Sequence, residues 1–195
     1  MPSPPGLADL LADLADAFAR LQAPWYVFGA QAALIWGRPR LTTDVDVTVG
    51  TVPGGTPALL SALEPRGFAI RIDVTQDFVR QTRVLPLVHE PSGLAADIVL
   101  GGPGLEDDFL ARAVRVDVGG VVVPVLTAED LIVTKVLAGR PKDVEDIRGV
   151  LAERGERLDL ARIRGVLHML EHALGQSDLV PQFESELARW QRARS

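Results

Sequence analysis

The segment Asp44-Val45-Asp46-Val47-Thr48-Val49 constrains the chain more than any other. Alternation of polar and β-branched residues is the period of a strand buried on one side. Val45, Val47 and Val49 therefore belong to a core face, and Asp44 and Asp46 to the opposite one. Two carboxylates about 7 Å apart along a rigid strand repel each other, and solvent or a divalent cation is the usual relief. A hard, oxygen-seeking ion such as Mg²⁺ suits them. Just upstream, Trp25-Tyr26-Val27-Phe28 reads as a strand ending at Gly29, and Ala30 to Trp36 as a short helix. Glycine at such a turn lets the backbone approach a ligand, and the free amides of a helix start bind an anion such as phosphate. A glycine that merely turns the chain is the simpler reading, and the spacing alone leaves both open.

Before this unit, Leu7, Leu10, Leu11, Leu14, Phe18 and Leu21 recur at helical spacing. After it, Thr56-Pro57 offers a cap and first turn for a helix to about Leu63, which Gly67 should end. Phe68, Ile70, Ile72 and Val74 alternate with Ala69, Arg71 and Asp73 as in a half-buried strand. Val84 to Val88 and Ala95 to Leu100 read as a hairpin through Glu90-Pro91-Ser92-Gly93, and Val114 to Val125 as another turning at Gly119-Gly120. Asp97 interrupts an otherwise apolar strand and needs a donor, a cation or solvent. It joins the acid pair if its strand lies beside Asp44 to Val49, and faces water if that strand is an edge.

From Thr127 the pattern turns helical, with Thr127 as cap and Leu131, Ile132, Val136 and Leu137 as apolar face. Of the 20 basic residues only Lys135 and Lys142 are lysines. Lys135 shares the Leu131 and Ile132 side, so it needs an anionic partner unless it snorkels to water. Gly139 and Pro141 end that helix. The next carries Asp143 and Asp146, with a surface pair between Lys142 and Asp146 as the favoured reading. Two further amphipathic helices follow. The expected class is α+β, a mixed β-sheet flanked by helices over residues 1–126 with a helical region over 127–195.

Several chemistries are excluded. Without cysteine there are no disulfides, thiol nucleophiles or thiolate zinc sites. His168 and His172 lack an HExxH pattern and read as surface or core residues. The first twenty residues have no basic start of a signal peptide, and no apolar run reaches membrane-spanning length, so a cytoplasmic chain without membrane contact is expected. A formal net charge of −6 argues against a broad nucleic-acid surface.

Gly29-Ala30, followed by Gly37-Arg38-Pro39-Arg40-Leu41-Thr42-Thr43-Asp44-Val45-Asp46, resembles the nucleotidyltransferase superfamily with the DNA polymerase beta-like fold. The likeness is nearest to its small bacterial branch, the abortive-infection-type enzymes often found as toxins of toxin–antitoxin pairs. It extends to Thr127-Ala128-Glu129-Asp130-Leu131 and to Lys135 with Arg140, Lys142, Asp143 and Asp146, and covers roughly two-thirds of the chain. The resemblance implies transfer of a nucleoside monophosphate from an NTP to a hydroxyl acceptor, RNA or tRNA or protein, with Asp44, Asp46 and Asp97 holding Mg²⁺. It implies catalytic roles for these three and for Lys135. Gly29, Ala30, Arg40, Thr43, Lys135 and Asp143 would contact the nucleotide, and a cognate antitoxin would be a partner. The family's Gly-Ser or Gly-Gly is here Gly29-Ala30, which removes any serine hydroxyl contact and keeps the Ala30 amide. Two alternatives stand beside this expectation: a catalytically silent binding protein or antitoxin on the same fold, and a small-molecule enzyme of the aminoglycoside type.

Overall fold

The computed structural model describes residues 6–38, 42, 44–71 and 76–194. Among them, α1 (Leu7–Arg20), β1 (Trp25–Phe28), α2 (Gly29–Trp36), β2 (Asp44–Val49), α3 (Gly55–Leu63), β3 (Phe68–Ile70) and α4 (Gln76–Thr82) come first. Then follow β4 (Val84–His89), β5 (Leu94–Leu100), α5 (Leu105–Arg112), β6 (Val114–Val118) and β7 (Val121–Val125). The chain continues through α6 (Ala128–Ala138), α7 (Pro141–Arg154), α8 (Leu160–Leu174) and α9 (Leu179–Arg192). The described residues fall into two compact units, one within 1–29 and 42–126 and the other within 30–41 and 127–195.

The first unit holds a mixed sheet in the order β3-β4-β5-β2-β1-β7-β6. β2 runs parallel to β5 and antiparallel to β1, β1 runs parallel to β7, and the remaining pairs are antiparallel. The expected alternation governs β2: Val45, Val47 and Val49 are buried, whereas Asp44 and Asp46 keep partial exposure. The register carries the same parity sideways. Val27, Val47, Ile98 and Leu85 lie abreast on the core face. The apolar stripe of α1 (Leu10, Leu11, Leu14, Ala17 and Phe18) is buried, and this helix packs on α3 and β7. Its start is satisfied by Asp9, which accepts from the Gly6 N–H at 2.7 Å.

The mixed sheet with helices matches the expected α+β class, and two local readings are corrected. α3 begins at Gly55 behind a left-handed Gly54 cap, not at Pro57 behind a Thr56 cap. Arg80, to which the sequence pattern assigns no element, lies in α4. The Phe68 strand ends at Ile70, with Ile72 and Val74 outside the described residues. His89 is fully buried, its Nδ1 2.7 Å from Ser92 Oγ and its Nε2 3.1 Å from Asp13 Oδ2. It ties the β4–β5 turn to α1.

The second unit gathers α2 and α6 to α9. Gly37 lies so close to α7 that an added Cβ would stand 2.9 Å from the Val150 nitrogen, and the Arg154 guanidinium covers the Trp36 ring at 5.1 Å. Thr127 caps α6 by accepting from the Asp130 N–H, and Asp130 is buried against Arg162 at 3.0 Å. No described helix is long and apolar enough to cross a membrane.

Phe18 is fully buried with its ring 5.1 Å from that of Trp25. Phe18→Ala should therefore cost about 3–5 kcal/mol of stability, read as a lowered urea midpoint with an unchanged slope.

Candidate active site

The parity of β2 and the register of its neighbours assemble one face of the first unit. Phe28 pairs with Asp46, Asp46 with Asp97, and Asp97 with Pro86. Laterally paired residues project to the same side of a sheet, so Asp46 and Asp97 stand side by side on adjacent strands and Asp44 lies two positions along from Asp46. β5 runs between β2 and β4, which removes the reading of Asp97 as an edge-strand residue.

Each carboxylate has a distinct neighbour. Asp46 leans over Gly29: a Cβ built on that glycine would lie 1.9 Å from Asp46 Oδ2, and its backbone is left-handed with φ +62°. Only glycine meets both demands. Thr42 Oγ1 donates to Asp44 Oδ1 at 2.6 Å. Asp97 Oδ1 accepts from Arg71 Nη2 at 2.7 Å, with the Arg71 side chain 41% and that of Asp97 29% exposed. Thr42 and Arg71 had no assigned site role in the sequence. Position on the polar side of the Phe68 alternation was the only signal for Arg71.

The donor set and the Gly29 cradle suit a hard cation: oxygen ligands on one rigid face, with backbone able to come close. Among the described residues, however, no three His, Cys, Asp or Glu side chains stand close enough together to enclose a metal. The register brings the three aspartates to one face, and their side chains are turned to other partners. The candidates Arg40 and Thr43 lie outside the described residues.

In the second unit Ala30 is buried in the first turn of α2, and Arg38 Nε reaches Glu153 at 3.5 Å on the surface. Lys135 is buried, with Nζ 3.0 Å from Asp143 Oδ1 and 2.7 Å from Asp146 Oδ2. Asp143 also accepts from Arg140 Nε at 2.6 Å, Nη2 at 3.1 Å and backbone N at 3.2 Å. One carboxylate thus caps α7 and neutralises a buried ammonium. Burial pushes the Asp143 carboxyl up, but the hydrogen bonds and charges of Arg140 and Lys135 outweigh it and hold it below the usual carboxylate value. The expected Lys142–Asp146 surface pair is corrected: Asp146 is buried against Lys135 and Lys142 is exposed. Helical spacing could not anticipate a partner from another helix.

Gly29→Ala should cost about 3 kcal/mol through the clash with Asp46 and the left-handed backbone, visible as a lowered melting temperature. Lys135→Ala strips two buried carboxylates of their shared cation and should cost about 3–5 kcal/mol in urea unfolding. Because the folded Asp143 carboxyl titrates below its unfolded value near 3.8, its stabilisation is present above that value and is lost as pH falls through the lower folded value. Wild-type protein should accordingly lose more stability between about pH 4 and pH 2 than Asp143→Asn does, measured by unfolding across that range.

The family model described as a nucleotidyltransferase of unknown function (DUF6036) matches residues 7–172. No protein among the curated sequences matches the chain. Solved structures share the fold. An antigenic nucleotidyltransferase-like protein from Paracoccidioides brasiliensis is 18% identical with a TM-score of 0.55, over 91% of this chain and 92% of that one. ANT(2″)-Ia, solved in complex with adenylyl-2″-tobramycin, is 15% identical with a TM-score of 0.52, over 96% of this chain and 98% of that one. The lincosamide antibiotic adenylyltransferase LnuA, solved with lincomycin bound, is 15% identical with a TM-score of 0.50, over 76% of this chain and 98% of that one. At these identities the likeness is one of fold, whereas the family match spans most of the chain. The chain belongs to the nucleotidyltransferase family that this model describes.

Proposed function

We propose that the protein transfers a nucleoside monophosphate from an NTP to a hydroxyl acceptor in a Mg²⁺-dependent reaction that releases pyrophosphate. The observation that carries this reading is the pairing of Asp46 with Asp97 on adjacent parallel strands, with Asp44 on the same face and Gly29 beneath Asp46. Asp44, Asp46 and Asp97 would hold the ion, which when bound neutralises triphosphate charge and stabilises the leaving group. The chain's own groups have separate tasks. The acceptor oxygen bonds to the α-phosphorus, the bond from that phosphorus to the bridging oxygen breaks, and pyrophosphate departs. Asp97 takes the proton that the acceptor hydroxyl loses. The amides of Gly29 and Ala30 cradle phosphate oxygens, joined by Arg40 and Thr43. No nucleophile from the protein is needed.

The acceptor is an RNA, tRNA or protein hydroxyl in the toxin-like reading, with a cognate antitoxin as partner. A second reading, a small cationic acceptor, is favoured by the formal net charge of −6, which repels a polyanion and attracts a polyamine-like substrate. The adenylyl-tobramycin complex of ANT(2″)-Ia is an example of such an acceptor in another protein of this fold.

Incubation with each α-labelled NTP, Mg²⁺ and in turn tRNA, a protein lysate or a panel of aminoglycosides should label one class of acceptor. Asp46→Asn should reduce labelling at least about a hundredfold, the scale of a lost transition-state contact. NTP with Mg²⁺ should also raise the melting temperature by mass action. Absence of both labelled product and thermal shift would sink the reading.

A further inference from the structure

Arg71 extends the row of paired residues that carries the acids. Its backbone N–H donates to the Pro86 carbonyl at 3.1 Å, Pro86 pairs with Asp97, and Asp97 pairs with Asp46. Pro86 has no N–H to return, and among the described residues the β3–β4 ladder runs no further than Ile70 and Leu87. Arg71 directly follows the last residue of β3, and its guanidinium reaches across Pro86 to Asp97 Oδ1 at 2.7 Å.

We propose that Arg71 is the resident counter-ion of Asp97: in the nucleotide-free protein its guanidinium holds the carboxylate, and a divalent cation gains that ligand only by displacing it. The proposal rests on the reading of Asp44, Asp46 and Asp97 as metal-holding residues. Three physical points carry it. Asp46 and Asp97 lie abreast on neighbouring strands, where like charges are destabilising, and one guanidinium beside them offsets that repulsion. Both side chains are partly exposed, so the pair is weak enough for a doubly charged ion to replace it. The guanidinium is a planar fork of donors with no acceptor of its own, so a cation that takes the Asp97 carboxylate competes with it directly. Arg71 is in this sense a positioning residue that sets how tightly the acids take metal.

Mn²⁺ is the probe for the test, its binding to the nucleotide-free full chain counted from the spectrum of the free ion. Arg71→Gln should bind Mn²⁺ roughly two- to fivefold tighter than wild type, the scale of a partly exposed ion pair. In EDTA this variant should melt lower than wild type, and Mn²⁺ should raise its melting temperature by more. Arg71→Lys, which keeps a charge without the planar fork, should fall between the two, and Asp97→Asn added to Arg71→Gln should erase the gain. Equal or weaker Mn²⁺ binding by folded Arg71→Gln, or by Arg71→Lys should the glutamine variant not fold, overturns the counter-ion role and leaves the metal reading standing. Absence of Mn²⁺ binding in wild type and both variants overturns the two together.

Discussion

Repulsion between Asp46 and Asp97 is the constraint on which the first unit's polar face depends. Parallel pairing of β2 with β5 sets the two carboxylates on adjacent strands, and the core on the opposite face fixes that pairing. A slip of one residue would carry Val45, Val47 and Val49 out of the core. The strand cannot ease the charge by moving, so the surroundings answer it. Thr42 donates to Asp44, Gly29 makes room for Asp46, and Arg71 neutralises Asp97. A hydrophobic constraint on one side of a sheet thereby holds a charged geometry on the other.

The helical unit meets the same problem by another route. Its carboxylates are buried, where an unmatched charge is far more costly, and the answer is permanent. Lys135 stands between Asp143 and Asp146, and Arg140 closes the far side of Asp143. The first unit's acids are partly open to solvent and hold partners that can exchange. The contrast separates an arrangement suited to binding a ligand from one suited to rigidity.

Local periodicity made much of this legible in the sequence. The two faces of β2, the hairpins, the cap at Thr127 and the strand-turn-helix at Gly29 all follow from neighbours within a few residues. The lateral order of strands does not, because nothing in the Ala95 to Leu100 run says which strand lies beside it. For that reason Asp97 stayed open between an edge and a site. Arg71 was hidden for a related reason: it looks like an ordinary outward residue of a half-buried strand until Pro86 and Asp97 are seen beside it. The Lys142–Asp146 pair failed because spacing along one helix is blind to a lysine arriving from α6.

The Gly29 cradle bears on how this chain can vary. The space a methyl group would take at Gly29 is filled by the Asp46 carboxylate, so what position 29 can hold depends on position 46 although the two lie on different elements. Any side chain at position 29 meets that carboxylate, so Gly29 cannot change while Asp46 stays. The reverse does not hold, because a smaller residue at position 46 meets no obstacle at the glycine. A lineage leaving this chemistry would keep its hydrophobic face and lose the arrangement opposite it, and loss of the acid at position 46 should precede loss of the glycine at position 29.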